Sequence, residues 1–218
     1  MKRQVNMNEI SDGKLYGSND MVKADCGDCE GCSACCRGMG TSIVLDPLDV
    51  NRLACGLQMT FEELLSENVE LNVVDGLILP NLKMVEEKCG FLNEEGRCCI
   101  HPIRPGICRL FPLGRYYENG GFRYFLQVNE CRKENRSKVK VKKWIDTPDL
   151  KSYEAFVNDW HNFLLALEKY VSENPEEQKA VSMYILQQFY LSPYEEAENF
   201  YTQFAKRLAR GYEELGLE

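Results

Sequence analysis

The chain has 218 residues, 44% of them hydrophobic and 28% charged, with a formal net charge of −8. This is ordinary globular composition, enough for one large domain or two small ones, and it excludes extensive disorder away from the ends. The whole net charge falls in residues 145–218, with fourteen acidic and six basic side chains, so nucleic acid is not an expected partner.

Residues 1–23 are polar and lack an apolar secretion core. The longest apolar run, residues 163–167, is far short of the ~20 residues of a membrane-spanning helix. The expected setting is cytoplasmic, with no membrane partner. In such a reducing compartment, eleven cysteines point to metal ligation or thiol chemistry rather than to disulfides.

In chain order, Ser42 to Leu45 reads as a short strand. Asp46-Pro47 then starts a helix, with aspartate as N-cap, ending near Cys55 at Gly56. Thr60 and Glu63 have the spacing of a capping box for a second helix. Residues 69–74 and 77–82 flank Asp75-Gly76, a two-residue hairpin signal. A second hairpin is expected across residues 89–92 and 97–100, and a third joins Tyr116-Tyr117 to residues 122–128 through Asn119-Gly120. The basic stretch from Arg132 to Lys143 reads as a solvated strand or connector.

From about residue 145 the pattern changes to helical periodicity. Phe156, Trp160, Phe163, Leu164, Leu167 and Val171 form one stripe over residues 149–172. A second helix follows Pro175, and Pro193 is expected to open a third carrying Phe200, Phe204, Leu208 and Tyr212. The fold expectation is α+β: a cysteine-rich domain with short hairpins over residues 1–144, then a three-helix bundle over 145–218 packed on it.

Five cysteines fall within eleven residues: Cys26, Cys29, Cys32, Cys35 and Cys36. C-x-x-C spacing lets two thiolates reach one soft or borderline ion from a tight turn, and the run also resembles iron–sulfur ligand runs. A second block supplies Cys89, Cys98, Cys99, Cys108 and Cys131. Adjacent side chains diverge, so Cys35 and Cys36 are expected to face different centres, or one is a spectator. The candidate ligands are Cys29, Cys32, Cys35, Cys36, Cys89, Cys98, Cys108 and Cys131, enough for two four-sulfur centres. Cys26 and Cys99 are extras on this count, and Cys55 reads as a buried core thiol. Arg37, Arg97, Arg104 and Arg109 are placed to offset thiolate charge.

Cys29-x-x-Cys32-x-x-Cys35-Cys36, Cys89-x-Phe91-Leu92 and Cys98-x-Ile100-x-x-x-Arg104-Pro105-x-x-Cys108-Arg109-x-Phe111-Pro112 together resemble the YkgJ-like cysteine-cluster family. The resemblance covers roughly residues 26–131 and implies a zinc- or iron-chelating domain. That family is distantly associated with flagellin lysine N-methylases, but the sequence shows no strand–Gly-x-Gly–helix pattern of the kind that holds a methyl donor in dinucleotide folds. With two histidines, a Ser-His-Asp or Cys-His catalytic pair is not expected. His101 and His161 are not assigned as ligands.

Three functional classes remain open: structural zinc closing a small domain with a protein partner, an iron–sulfur centre serving redox or methylation chemistry, and a thiol-based metal or redox sensor. The cofactor is accordingly zinc or iron, an iron–sulfur cluster included, and whether the protein is an enzyme is left open.

Overall fold

The computed structural model describes residues 6–27 and 32–217. The elements begin with α1 (Met7–Ile10), β1 (Ser11–Tyr16), β2 (Met21–Asp25), α2 (Pro47–Leu57), α3 (Phe61–Glu67), β3 (Val69–Val74) and β4 (Leu77–Leu82). There follow β5 (Met84–Val85), β6 (Lys88–Cys89), α4 (Gly106–Leu110), β7 (Leu113–Glu118), β8 (Gly121–Gln127), β9 (Ser137–Lys140) and α5 (Val141–Ile145). The last are α6 (Leu150–Glu173), α7 (Gln178–Ile185) and α8 (Phe200–Glu214). Helix and short antiparallel strands mix throughout, so the fold class is α+β.

The chain forms two compact units, and each is assembled from two stretches of sequence. One is Gly40–Lys83 with Lys151–Glu218; the other is Lys2–Met39 with Met84–Leu150. The contacts thus group residues 40–83 with the late helices, a partition that composition alone does not suggest.

In the first unit both helix starts follow from their capping residues. The Asp49 N–H donates to the Asp46 carboxylate at 2.8 Å, and the Asp49 carboxylate accepts from the Asp46 N–H at 3.3 Å. Thr60 and Glu63 exchange the same pair of bonds at 3.2 and 2.7 Å. Each box satisfies two of the N–H groups that a helix start leaves without partners. Helix α2 runs through Gly56 to Leu57 and ends at Gln58, which is left-handed at φ 57°. The hairpin β3–β4 pairs Val74 with Leu77 and Val69 with Leu82 across Asp75-Gly76, whose φ values of 49° and 83° are those of a primed turn.

The apolar stripe of α6 is buried, as its 3.6-residue period requires: Tyr153, Phe156, Trp160, Phe163, Leu167 and Val171 all face inward. Phe156 meets Phe204 at 4.6 Å between ring centroids, while Phe163 lies 5.5 Å from Phe189 and 5.1 Å from Tyr212. Helix α7 packs on β4 and passes directly into a π-helical turn, Leu186–Leu191, which packs on α2. The aromatic helices therefore share their core with the early hairpin and helices of the same unit. Helix α8 begins at Phe200 rather than Pro193, because Asn199 is its cap and accepts from the Tyr201 and Thr202 N–H groups. The Pro193 carbonyl instead accepts from Arg207 at 2.6 Å.

The second unit is built on a three-stranded antiparallel sheet of order β1-β8-β7, with β2–β9 and β5–β6 as separate pairs. Asn119-Gly120 turns β7 into β8, with φ values of 50° and 76°. The basic stretch contains β9, a largely exposed strand paired with β2, and leads into α5. Among the described residues, no helix is long and apolar enough to cross a membrane.

Candidate metal centre

Every expected ligand among the described residues belongs to the second unit. Its first cysteine block ends in a 3-10 turn, Ala34–Cys36, closed by Cys36 N–H to Ser33 C=O at 3.0 Å and Arg37 N–H to Ala34 C=O at 3.3 Å. The turn carries two adjacent thiols that stay within hydrogen-bond reach of each other. Cys35 lines a cavity together with Cys26, Cys32 and Cys131, and Cys36 is not among the residues that line it.

Cys36 lies on the side of the second block. A bridge between Arg37 and Lys88, and the Gly38 N–H donating to Glu87 C=O at 2.8 Å, tie this segment to the β5–β6 hairpin that carries Cys89. Cys98 is brought in by a bridge to Leu92 and by the Cys99 N–H donating to Phe91 C=O at 2.9 Å. The hairpin expected over 89–100 is thus present as a tight turn with one bridge rather than as two strands. Cys108 is partly buried on α4, and Cys99 is exposed. Cys29 lies outside the described residues.

The electrostatics show which thiols share a neighbourhood. Cys36 donates a hydrogen bond to Cys35, which holds the Cys35 thiol below the ordinary range; a backbone N–H and the Arg104 guanidinium reinforce this against burial. Cys36 is pushed up by the same bond, by burial, and by the nearby charges of Cys35, Cys98 and Cys89. Burial raises Cys89 and Cys98, while a backbone N–H two residues on, from Phe91 and Ile100 respectively, donates to each sulfur and pulls the other way. Such N–H···S bonds stabilise thiolate charge and set the properties of a bound metal.

Two expectations need correction. Cys55 is not a core thiol: it is exposed on α2, 3.9 Å from the Asn51 side-chain oxygen. The helix stripe faces inward through Leu48, Val50 and Leu53, and position 55 falls off that face. Arg109 is not placed mainly to offset thiolates. Buried on α4, it donates to the carbonyls of Arg104 (3.2 Å), Asp146 (3.1 Å) and Pro102, clamping α4, which carries Cys108, to the segments on either side of it. Arg104 does act on Cys35 and Cys98, and its guanidinium also contacts the His101 ring.

Trp144 and Phe111 belong to this site; Phe111 lies in the Cys108-Arg109-x-Phe111-Pro112 motif, whereas no motif assigns Trp144 to it. Both line the cavity with Cys26, Cys32, Cys35 and Cys131, and the Trp144 indole N–H is held between the carbonyls of Leu110 (3.3 Å) and Phe111 (3.2 Å). For Trp144 the sequence signal is its position at the end of the basic stretch.

Among the described residues, no three or more His, Cys, Asp or Glu side chains are placed closely enough to hold a metal ion as they stand. The donor chemistry nevertheless fits one. Thiols from distant segments converge: Cys26, Cys32, Cys35 and Cys131 line one cavity, and Cys35 also neighbours Cys36, Cys89 and Cys98, with Arg104 beside Cys35 and Cys98. Soft sulfur donors in such numbers suit zinc or iron.

A small α+β unit that gathers thiols from two blocks defines a metal-binding cysteine-cluster protein. The chain belongs to the CxxCxxCC family, described as a "putative zinc- or iron-chelating domain", whose pattern matches residues 28–144. No curated protein matches the chain, and no solved structure matches it.

Proposed function

We propose that this protein chelates zinc or iron through thiolates from both cysteine blocks, drawn from Cys29, Cys32, Cys35, Cys36, Cys89, Cys98, Cys108 and Cys131, and that the metal fixes the fold of the cysteine-rich unit. The observation that carries this reading is that the Arg37–Lys88 bridge and the Gly38 N–H bond to Glu87 C=O dock the segment of Cys36 against the hairpin of Cys89, from a block more than fifty residues away. Without a cation, such proximity is unfavourable for ionised sulfurs and favours their neutral thiols. A bound cation turns the repulsion into a cross-link between segments that few ladder hydrogen bonds join.

When bound, zinc supplies structural cross-linking, and iron would add a redox couple. The chain itself does the rest. The 3-10 turn holds Cys35 and Cys36 side by side, the N–H groups of Phe91 and Ile100 support the sulfurs of Cys89 and Cys98, and Arg104 offsets charge at Cys35 and Cys98.

The test is elemental analysis with a visible spectrum and a sulfide assay on protein purified without oxygen. Zinc without colour supports the structural reading. Iron with acid-labile sulfide would redirect it to redox or methyl-transfer chemistry. Neither metal would overturn the chelation reading.

A further inference from the structure

Backbone parity fixes which groups of β3 point away from its partner β4. Val74 and Leu77 flank the two-residue turn and bond each other, so the even-numbered residues of β3 direct their N–H and C=O groups at β4. Val69, Leu71 and Val73 direct theirs the opposite way. The same parity shows on β4, whose outward groups are occupied: Leu82 N–H donates to Ile43 C=O at 3.0 Å, and Pro80 C=O accepts from Leu45 N–H at 2.8 Å. Ile78 N–H donates to Ser182 Oγ at 3.1 Å. On β3, no described residue bonds the outward groups of Leu71 and Val73. Val69 is covered, but Leu71 is 41% and Val73 68% exposed. The open backbone and the exposed apolar side chains belong to the same two residues.

Other edges of the molecule are defended. Strands β1 and β9 pair with register irregularities and carry exposed lysines, Lys14 on the first and Lys138 and Lys140 on the second. Such devices keep an edge from adding a further strand. Strand β3 pairs with β4 in unbroken register and has no lysine, arginine or proline. Its one charge, Glu70, is held by the side-chain amides of Asn72 and Asn81, each at 3.2 Å. An open edge of alternating backbone donors and acceptors is satisfied by an extended strand.

The strand is complementary to itself. Placed antiparallel about a twofold axis at Asn72, Leu71 of each copy faces Val73 of the other, and the outward N–H and C=O groups of both residues bond each other. The apolar pairs share one face, and Glu70 faces Val74, which keeps the two carboxylates roughly 14 Å apart. Centring the axis on Leu71 instead sets covered Val69 opposite Val73, and centring it on Val73 sets Asp75 of the turn opposite Leu71. We infer that β3 is a self-association edge, at which two copies of this chain join their β3 strands antiparallel about Asn72 into one continuous sheet. The interface is small, so the dimer dissociates in the range of about 10 μM to 1 mM.

The test is sedimentation equilibrium of the full chain across that range, under reducing conditions that exclude intermolecular disulfides, with amide hydrogen exchange read at both ends. A monomer–dimer equilibrium is expected, with the Leu71 and Val73 amides exchanging about tenfold more slowly at the high concentration. Val73→Pro removes an outward N–H and leaves the β4 ladder intact, so it should weaken association about tenfold or more while the monomer stays folded. Val73→Lys brings two cations together on one face and should act likewise, whereas Val73→Thr, a branched strand former, should keep the dimer.

A chain that stays monomeric at about 1 mM would overturn the inference, whether its Leu71 and Val73 amides exchange freely or are protected by some other segment. So would a dimer that Val73→Pro and Val73→Lys leave unchanged, or one in which those two amides exchange at the same rate at both concentrations. The exchange is read on the unsubstituted chain, so it decides the matter even where Val73→Pro fails to fold.

Discussion

Arg109→Met separates the clamp role of this arginine from a purely electrostatic one. Methionine keeps much of the buried stem and removes all five N–H donors. Three donations are lost, to the carbonyls of Arg104, Asp146 and Pro102. A hydrogen bond from a charged donor contributes about 1.5–3 kcal/mol net when buried, and about 0.5–1 kcal/mol where water replaces the donor. Pro102 and Asp146 are exposed, so their carbonyls can be rehydrated, whereas Arg104 is partly buried. The expected loss is about 3 kcal/mol, roughly a hundredfold in the unfolding equilibrium. Arg109→Lys should recover little, because one ammonium group cannot span three carbonyls as the planar fork does.

The assay is urea unfolding at fixed metal content in a Trp160→Phe background. The remaining Trp144, hydrogen-bonded at the end of α4, then reports on the cysteine-rich unit. A stability change below about 1 kcal/mol in Arg109→Met would refute the clamp, since even one unreplaced charged bond contributes more.

Cys35→Ser and Cys108→Ser are expected to lower bound metal in elemental analysis and to destabilise the cysteine-rich unit. Exposed Cys55→Ser should change metal content not at all and stability by less than about 0.5 kcal/mol. Glu86 and Glu87 turn β5 into β6 with φ values of 50° and 61°, so Glu87→Gly should raise the urea midpoint by the equivalent of about 1 kcal/mol. Gly211→Ala should gain about 1 kcal/mol in helix propensity. However, its Cβ would lie 2.9 Å from Cζ of fully buried Phe163, and overpacking costs of about 1–3 kcal/mol predict a net fall in thermal midpoint. Tyr190, fully buried with its hydroxyl donating to Leu45 C=O at 3.0 Å, is raised well above 10.0, mainly by desolvation. The unfolded chain thus loses that proton first as pH rises, so stability falls above about pH 10. Tyr190→Phe should flatten this fall in pH-dependent unfolding without abolishing it, because Tyr194 and Tyr212 are also raised.

The sequence alone determined the local elements and the chemistry of the site. The capping boxes at Asp46 and Thr60, the turns at Asp75-Gly76 and Asn119-Gly120, and the buried stripe of α6 all rest on interactions within a few residues, which spacing encodes directly. The thiol density likewise announced metal chelation, because ligand softness belongs to the residue type. Where spacing carried no information, tertiary structure decided. The turn at Glu86-Glu87 has none of the glycine or asparagine that normally marks such a conformation, and the hairpin around it forms because the 33–38 segment docks there. The assignment of 40–83 to the unit of the late helices, the three carbonyls gathered by Arg109, and the meeting of Cys26 with Cys131 and Trp144 all join residues far apart in the chain. Such contacts arise only when the whole chain buries its apolar surface, so no local pattern announces them.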